Sequence, residues 1–193
     1  KNKNDNFVVG YIGTFLKEKG IENFYNLAKI FSKKKYKKFN IKFYAIGKIP
    51  KKNIKYYLSS ILKNPYFIPK ERLDNFYLLG DTNKLDSVYS KITLMTFISR
   101  VKAIGRPVLE ASFFNVPSIV FLNEKKSDYI IDNSTGYIIK EDNLNEVVRK
   151  IIYLYKKRSL LSKFGRNAYK NSSKKFNPKY NFSIFKKEIL NKI

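Results

Sequence analysis

Short apolar runs rich in β-branched and aromatic residues alternate with stretches of helical spacing through the first two-thirds of the chain, and this alternation restricts the fold most. Phe7–Ile12, Ile41–Ile46, Phe76–Leu79, Ile92–Phe97, Pro117–Leu122 and Gly136–Ile139 read as strands. Ile21–Phe31 places Ile21, Phe24, Leu27, Ala28 and Phe31 on one helical face. Lys33–Lys38 is a polar loop, and Ile54–Leu62 reads as a second amphipathic helix. Asp86–Tyr89 and Lys126–Ile131 are short helices, and another starts near Pro107, where a missing N–H loses no partner. Leu144–Tyr155, Leu160–Ser172 and Lys179–Ile193 are helical. A β-α-β-α order followed by helices predicts an α/β fold, a doubly wound parallel sheet with helices on both faces and a helical C-terminal region. A length of 193 residues suits one domain, and 44% hydrophobic residues suffice to bury a core.

The formal net charge is +25, from 40 Lys and Arg against 15 Asp and Glu. Two readings stand. One is compositional bias with a solvated basic surface, because the lysines are scattered along the chain. The other is a functional positive field for phosphate ligands or an anionic membrane face. With no Cys, disulfides and thiol chemistry are excluded. With no His, imidazole bases, imidazole metal ligands and Ser-His-Asp schemes are excluded. Chemistry must run on carboxylates, Lys, Arg, backbone amides or the substrate itself. No apolar run approaches the ~20 residues that span a bilayer. The chain opens on Lys1-Asn2-Lys3-Asn4 without Met, which is read as an excised fragment whose localisation signals would be lost.

In an open α/β sheet, ligands bind beyond the carboxyl ends of the strands. Two loops fall there. Gly10-Tyr11-Ile12-Gly13-Thr14-Phe15-Leu16-Lys17-Glu18-Lys19-Gly20 joins the first strand to the first helix. Its glycines allow close backbone approach, and Lys19 precedes a helix N-terminus that favours phosphate. An ordinary βα loop with solvated lysines reads the same way. Lys102-Ala103-Ile104-Gly105-Arg106-Pro107-Val108-Leu109-Glu110-Ala111 opens a later helix. Gly105 permits a tight turn, free amides near Val108 and Leu109 form an anion site, and Glu110 can accept hydrogen bonds from paired ribose hydroxyls. A Glu that complements the helix dipole is the plainer reading of Glu110.

The second loop resembles the carboxylate motif of the retaining glycosyltransferases of family 4 (glycosyltransferase group 1), E-x-F-G-x-x-x-x-E-A, here K-A-I-G-R-P-V-L-E-A. Gly10–Gly20 resembles that family's G-x-x-G-R-x-x-x-x-K-G loop, and Val116-Pro117-Ser118-Ile119-Val120 its G-x-P-V-I strand. Asn133-Ser134-Thr135-Gly136 is similar to the later D-G-x-T-G turn, and Phe176-Asn177-Pro178-Lys179-Tyr180 to the F-S-W-E segment. The matches cover nearly the whole chain in the right order.

The resemblance implies the GT-B architecture, two Rossmann-like domains around a cleft, of which residues 1–193 are the C-terminal, donor-binding one. It implies that Lys19 contacts the donor diphosphate with Gly13 and Thr14 beside it, and that Glu110 holds the ribose. Ile104 and Gly105 would face the donor sugar, and Val108 and Leu109 the phosphates. The implied reaction retains anomeric configuration and needs neither metal nor cofactor, the nucleotide-diphospho-sugar being a substrate. The implied partners are that donor, a glycan or lipid-linked acceptor and the protein's own N-terminal domain. An anionic membrane contacted peripherally is a further expected partner, and nucleic acid is not. The expected location is cytoplasmic, at the inner face of the plasma membrane, in surface polysaccharide or lipopolysaccharide biosynthesis of a bacterium.

The chain departs from the pattern. Thr14 stands in place of an Arg, with Lys17 a substitute cation, and Glu124-Lys125 in place of a Gly pair. Lys102 stands in place of the first Glu, which in the family lies at the donor sugar. Lys102 then contacts phosphates or an acidic sugar, or marks a variant subfamily, or marks a catalytically degenerate protein. Two functions compete with glycosyl transfer. One is another nucleotide-sugar protein, such as an epimerase. The other is a basic nucleic-acid-binding domain suggested by Lys34-Lys35-Tyr36-Lys37-Lys38-Phe39. The chain alone is expected to be inactive, since transfer needs both substrates held together.

Overall fold

The computed structural model describes residues 6–48, 67, 69–82, 84–99, 104–123 and 127–177. Among these, six strands form one parallel sheet: β1 (Phe7–Ile12), β2 (Ile41–Ile46), β3 (Phe76–Leu79), β4 (Leu94–Phe97), β5 (Ser118–Phe121) and β6 (Gly136–Ile139). Their order is β3-β2-β1-β4-β5-β6. The chain winds outward from β1 to β3, returns to the middle at β4, and winds outward the other way. The crevice between β1 and β4 is therefore the topological switch point, where open α/β sheets bind ligands.

Side-chain alternation sorts the sheet into two faces. Phe7, Val9 and Tyr11 of β1 and Ile41, Phe43 and Ala45 of β2 join Ile119 and Phe121 of β5 in the larger core. That core is covered by α1 (Ile21–Ser32), α4 (Leu144–Lys156) and the start of α5 (Arg158–Lys175). Ile46, Met95 and Val120 point to the other face, under α2 (Leu85–Tyr89) and α3 (Arg106–Phe113). The doubly wound sheet with helices on both faces is thus the one the alternation predicts.

Four strands keep the bounds read from the sequence. Ile92–Phe97 shortens to Leu94–Phe97, because the Ile92 amide donates to the Tyr89 carbonyl at 3.1 Å and closes the turn after α2. Lys126–Ile131 is corrected: residues 127–131 are not helical. Ser127 Oγ accepts from the Tyr129 amide at 3.2 Å, and Thr135 Oγ1 from the Ile131 amide at 2.7 Å. Such local side-chain bonds compete with helix formation. Asp132 Oδ1 then accepts from the Ile138 amide at 2.9 Å, and Asn133 takes a φ of 57° at the turn into β6. The helices expected at Ile54–Leu62 and Lys179–Ile193 lie outside the described residues.

α5 runs further than the expected Leu160–Ser172 and braces the back of α3. Ser112 Oγ and Ser172 Oγ are 2.6 Å apart, and a Cβ on Gly165 would come within 2.0 Å of the Asn115 carbonyl oxygen. Phe176 stacks on Tyr129 with ring centroids 5.5 Å apart.

Candidate functional site

The loop after β1 is built by its own strand. Tyr11 is buried, and its hydroxyl donates to the Thr14 carbonyl at 2.8 Å. Burial pushes that hydroxyl well above the ordinary tyrosine range, so it stays a donor. The Gly13 amide donates to the Ile46 carbonyl at 3.0 Å, which ties the loop to the end of β2. A Cβ on Gly47 would meet the Gly13 oxygen at 1.9 Å, so the two turns touch backbone to backbone. Gly13 therefore serves close approach, and its amide is not free for a phosphate. Thr14 is exposed beyond it.

A short 3-10 turn, Lys17–Lys19, leads into α1 through Gly20 at φ 85°. The Lys19 side chain is 43% exposed and sits 3.9 Å from Glu18, a loose pair that leaves its charge available to a ligand.

The segment leaving β4 is pinned to this loop. The Asn23 side chain is buried and donates through Nδ2 to the Ile98 carbonyl at 3.1 Å. Ser99 Oγ donates to the Glu18 carbonyl at 2.8 Å. A Cβ on Gly20 would lie 2.4 Å from the Ile98 oxygen. The first loop and the start of α1 are thus pinned at the switch point to residues 98 and 99, which leave β4 ahead of the second loop. Neither Asn23 nor Ser99 was legible in the sequence, because each acts across 75 or more positions of chain.

Gly105 caps α3 with φ −82° and ψ 160°, an extended conformation open to any residue. The tight-turn reason for this glycine is corrected. A Cβ there would meet the Phe97 ring at 2.7 Å, so the glycine permits close packing of the helix start on β4. The Val108 amide is not free either, since it donates to the Gly105 carbonyl at 3.1 Å. Ile104 is half-buried against the small core of Val108, Val120 and Ile130, and Leu109 is half-buried on α3. Pro107 stands in the first turn of α3.

Glu110 is half-buried, and its Oε2 accepts a 2.8 Å hydrogen bond from the Tyr89 hydroxyl. Tyr89 comes from α2, is 1% exposed, and stacks on Phe114 with centroids 5.0 Å apart. Burial first, and then the bond and charge of Glu110, hold its hydroxyl well above the ordinary tyrosine range. Tyr89 gave no signal as a site residue in the sequence. Lys102 lies outside the described residues. Among the described residues no group of three or more carboxylates gathers as a metal site would require, and no helix is long and apolar enough to cross a membrane.

Residues 1–171 match the family model described as glycosyl transferases group 1. The capsular polysaccharide biosynthesis glycosyltransferase CapM of Staphylococcus aureus is 28% identical over 173 residues, 90% of this chain and 43% of that protein. A mutant of Staphylococcus aureus TarM, solved in complex with fondaparinux, alpha-GlcNAc-glycerol and UDP, shares 25% identity and a TM-score of 0.71 over 94% of this chain and 34% of that one. The C-terminal domain of LpcC, a glycosyl transferase group 1 family protein from Francisella tularensis, shares 22% identity and a TM-score of 0.67 over 89% of this chain and 87% of that one. The chain spans less than half the length of the curated relatives it matches.

Proposed function

The chain belongs to the glycosyl transferases group 1, and from that premise we propose that it is the donor-binding C-terminal half of a retaining, metal-independent GT-B glycosyltransferase. The observation that carries this reading is the pinning of the Lys19 loop, at the switch point, to residues 98 and 99 at the end of β4, the strand that precedes α3 and Glu110. The donor is a nucleotide-diphospho-sugar, and the UDP in the TarM complex favours uridine diphosphate. Glu110, on the first turns of α3, takes the ribose hydroxyls. Lys19 and the N-terminal end of α3 face the diphosphate. These fixed charges and dipoles stabilise the leaving diphosphate as its bond to the sugar breaks. The acceptor is a glycan or a lipid-linked glycan at the cytoplasmic face of the plasma membrane, and the process is surface polysaccharide assembly. The capsular role named for CapM supports this. Transfer also needs an acceptor held against the donor, so residues 1–193 by themselves are expected to bind donor without turnover.

Calorimetric titration of the chain with UDP-, GDP- and ADP-sugars tests the reading. One nucleotide sugar binds, and Glu110→Ala weakens it at least about tenfold, the loss of one bond to a charged group. Absence of binding to every member of the panel overturns it. A second reading, donor binding without transfer, is favoured by Lys102 standing where the family carries Glu. Single-turnover transfer by the intact protein separates the two.

A further inference from the structure

At the end of the sheet opposite the donor crevice, a cavity of about 440 Å³ opens between the last turn of α1, the start of β2 and the segment that enters β3. Such a volume lies within the range of small-ligand pockets, ~300–1,000 Å³. Lys37, Lys42 and Arg72 line it, with Asp74 as the single carboxylate. None of these three cations forms an ion pair among the described residues. Tyr36 and Tyr77 also line it, one on each face of the sheet edge. Tyr36 packs on Phe31 at 5.4 Å, and Tyr77 meets Tyr44 edge-on at 5.3 Å while remaining 39% exposed. Asn75 is a further lining residue. Its Nδ2 donates to the Ala28 carbonyl at 2.9 Å, which fixes the amide and leaves Oδ1 buried with no partner.

These features ask for two things at once: anionic groups for the cations and a flat apolar face for the rings. An acidic sugar has both. A lipid surface is too flat to enter the cavity and meets only the exposed rim of Lys33, Lys34, Lys35 and Lys38. We infer that this cavity is a second binding site, for an acidic glycan chain, about one strand length (~20 Å) from the donor crevice. The occupant is the product polymer, held at the far end of the domain while its terminus is extended. The identity of that occupant rests on the proposed transferase reading, whereas the binding itself does not.

The test uses the intact protein titrated with an oligogalacturonate and with a neutral malto-oligosaccharide of equal length. The oligogalacturonate binds and the neutral chain does not. The double variant Lys42→Gln/Arg72→Gln weakens the acidic chain by about tenfold or more, and Tyr77→Ala by several-fold. UDP-sugar affinity, measured on the same samples, is unchanged in both variants, which also shows that they fold. The inference is overturned by equal binding of the neutral chain or by unaltered affinity in the double variant. An equal loss of binding to single-stranded DNA or phosphatidylglycerol vesicles also overturns it, since that marks a general polyanion surface. Loss of UDP-sugar binding by the wild-type protein would sink the proposed function and leave the glycan site standing.

Discussion

The Tyr89 hydroxyl holds Glu110 Oε2 at 2.8 Å and lies 3.4 Å from the Pro107 carbonyl, so a side chain from α2 fixes a carboxylate on α3. A carboxylate that must receive two ribose hydroxyls works best when its own rotamer is set beforehand. Tyr89→Phe keeps the stacking on Phe114 and removes only the hydroxyl. The expected result is a several-fold to tenfold weaker nucleotide-sugar affinity, about 1 kcal/mol, with little loss of stability. Paired calorimetry and thermal melts check it. Equal affinity in the two proteins would mean that Glu110 needs no such support.

Gly20 combines a φ of 85° with a Cβ position 2.4 Å from the Ile98 oxygen and 2.9 Å from Ser99 Cα. Gly20→Ala is therefore expected to destabilise by about 2–5 kcal/mol, from left-handed strain and overpacking together. Gly80 has nothing within 4 Å of its Cβ position. Gly80→Ala should stay within about 0.5 kcal/mol of wild type. Denaturant midpoints of the two variants side by side give the comparison.

The strands were legible because a buried parallel strand is a local property: Phe7–Ile12 and Ile41–Ile46 are apolar runs of β-branched and aromatic residues, and the structure keeps their bounds. The doubly wound class followed from the alternation, whereas the strand order β3-β2-β1-β4-β5-β6 is set by long-range pairing. The site was legible only as far as its loops. Glycines and Glu110 announce themselves by spacing, but Asn23, Ser99 and Tyr89 act through contacts that exist only once β1 and β4 lie side by side. Gly105 was placed correctly and explained wrongly, since its neighbour is the Phe97 ring rather than a strained turn. Lys126–Ile131 reads as a short helix, and residues 127–131 are not helical. The hydroxyls of Ser127 and Thr135, which a periodicity reading ignores, decide otherwise.

Asn23, on the first turn of α1, is the buried link to the segment that leaves β4. Asn23→Leu leaves the Ile98 carbonyl without its donor in a buried setting, which costs about 1–3 kcal/mol. Because Ile98 leads into the second loop, donor affinity should fall together with stability. Native-state hydrogen exchange should show faster opening at residues 98–99 than at β5. Protection that is unchanged at 98–99 would show that Ser99 alone holds the junction.

Tyr11 and Tyr89 also make stability depend on alkaline pH. Burial raises both hydroxyls well above the ordinary tyrosine value, and at Tyr89 Glu110 adds to the effect. The unfolded chain releases these protons near pH ~10, whereas the folded chain keeps them. Over that interval the unfolded state binds fewer protons, so stability must fall as pH rises. Their contribution is complete below about pH 10 and is lost above it at about 1.4 kcal/mol per pH unit for each tyrosine. Tyr11→Phe and Tyr89→Phe each remove one such proton. Between about pH 9.5 and 11, the urea midpoint of wild type should drop more steeply than that of either variant, and the double variant should be flattest. Tyrosinate absorbance in the folded protein gives the independent measure. Two hydroxyls that resist titration until unfolding belong to Tyr11 and Tyr89 if the corresponding variants abolish them one at a time.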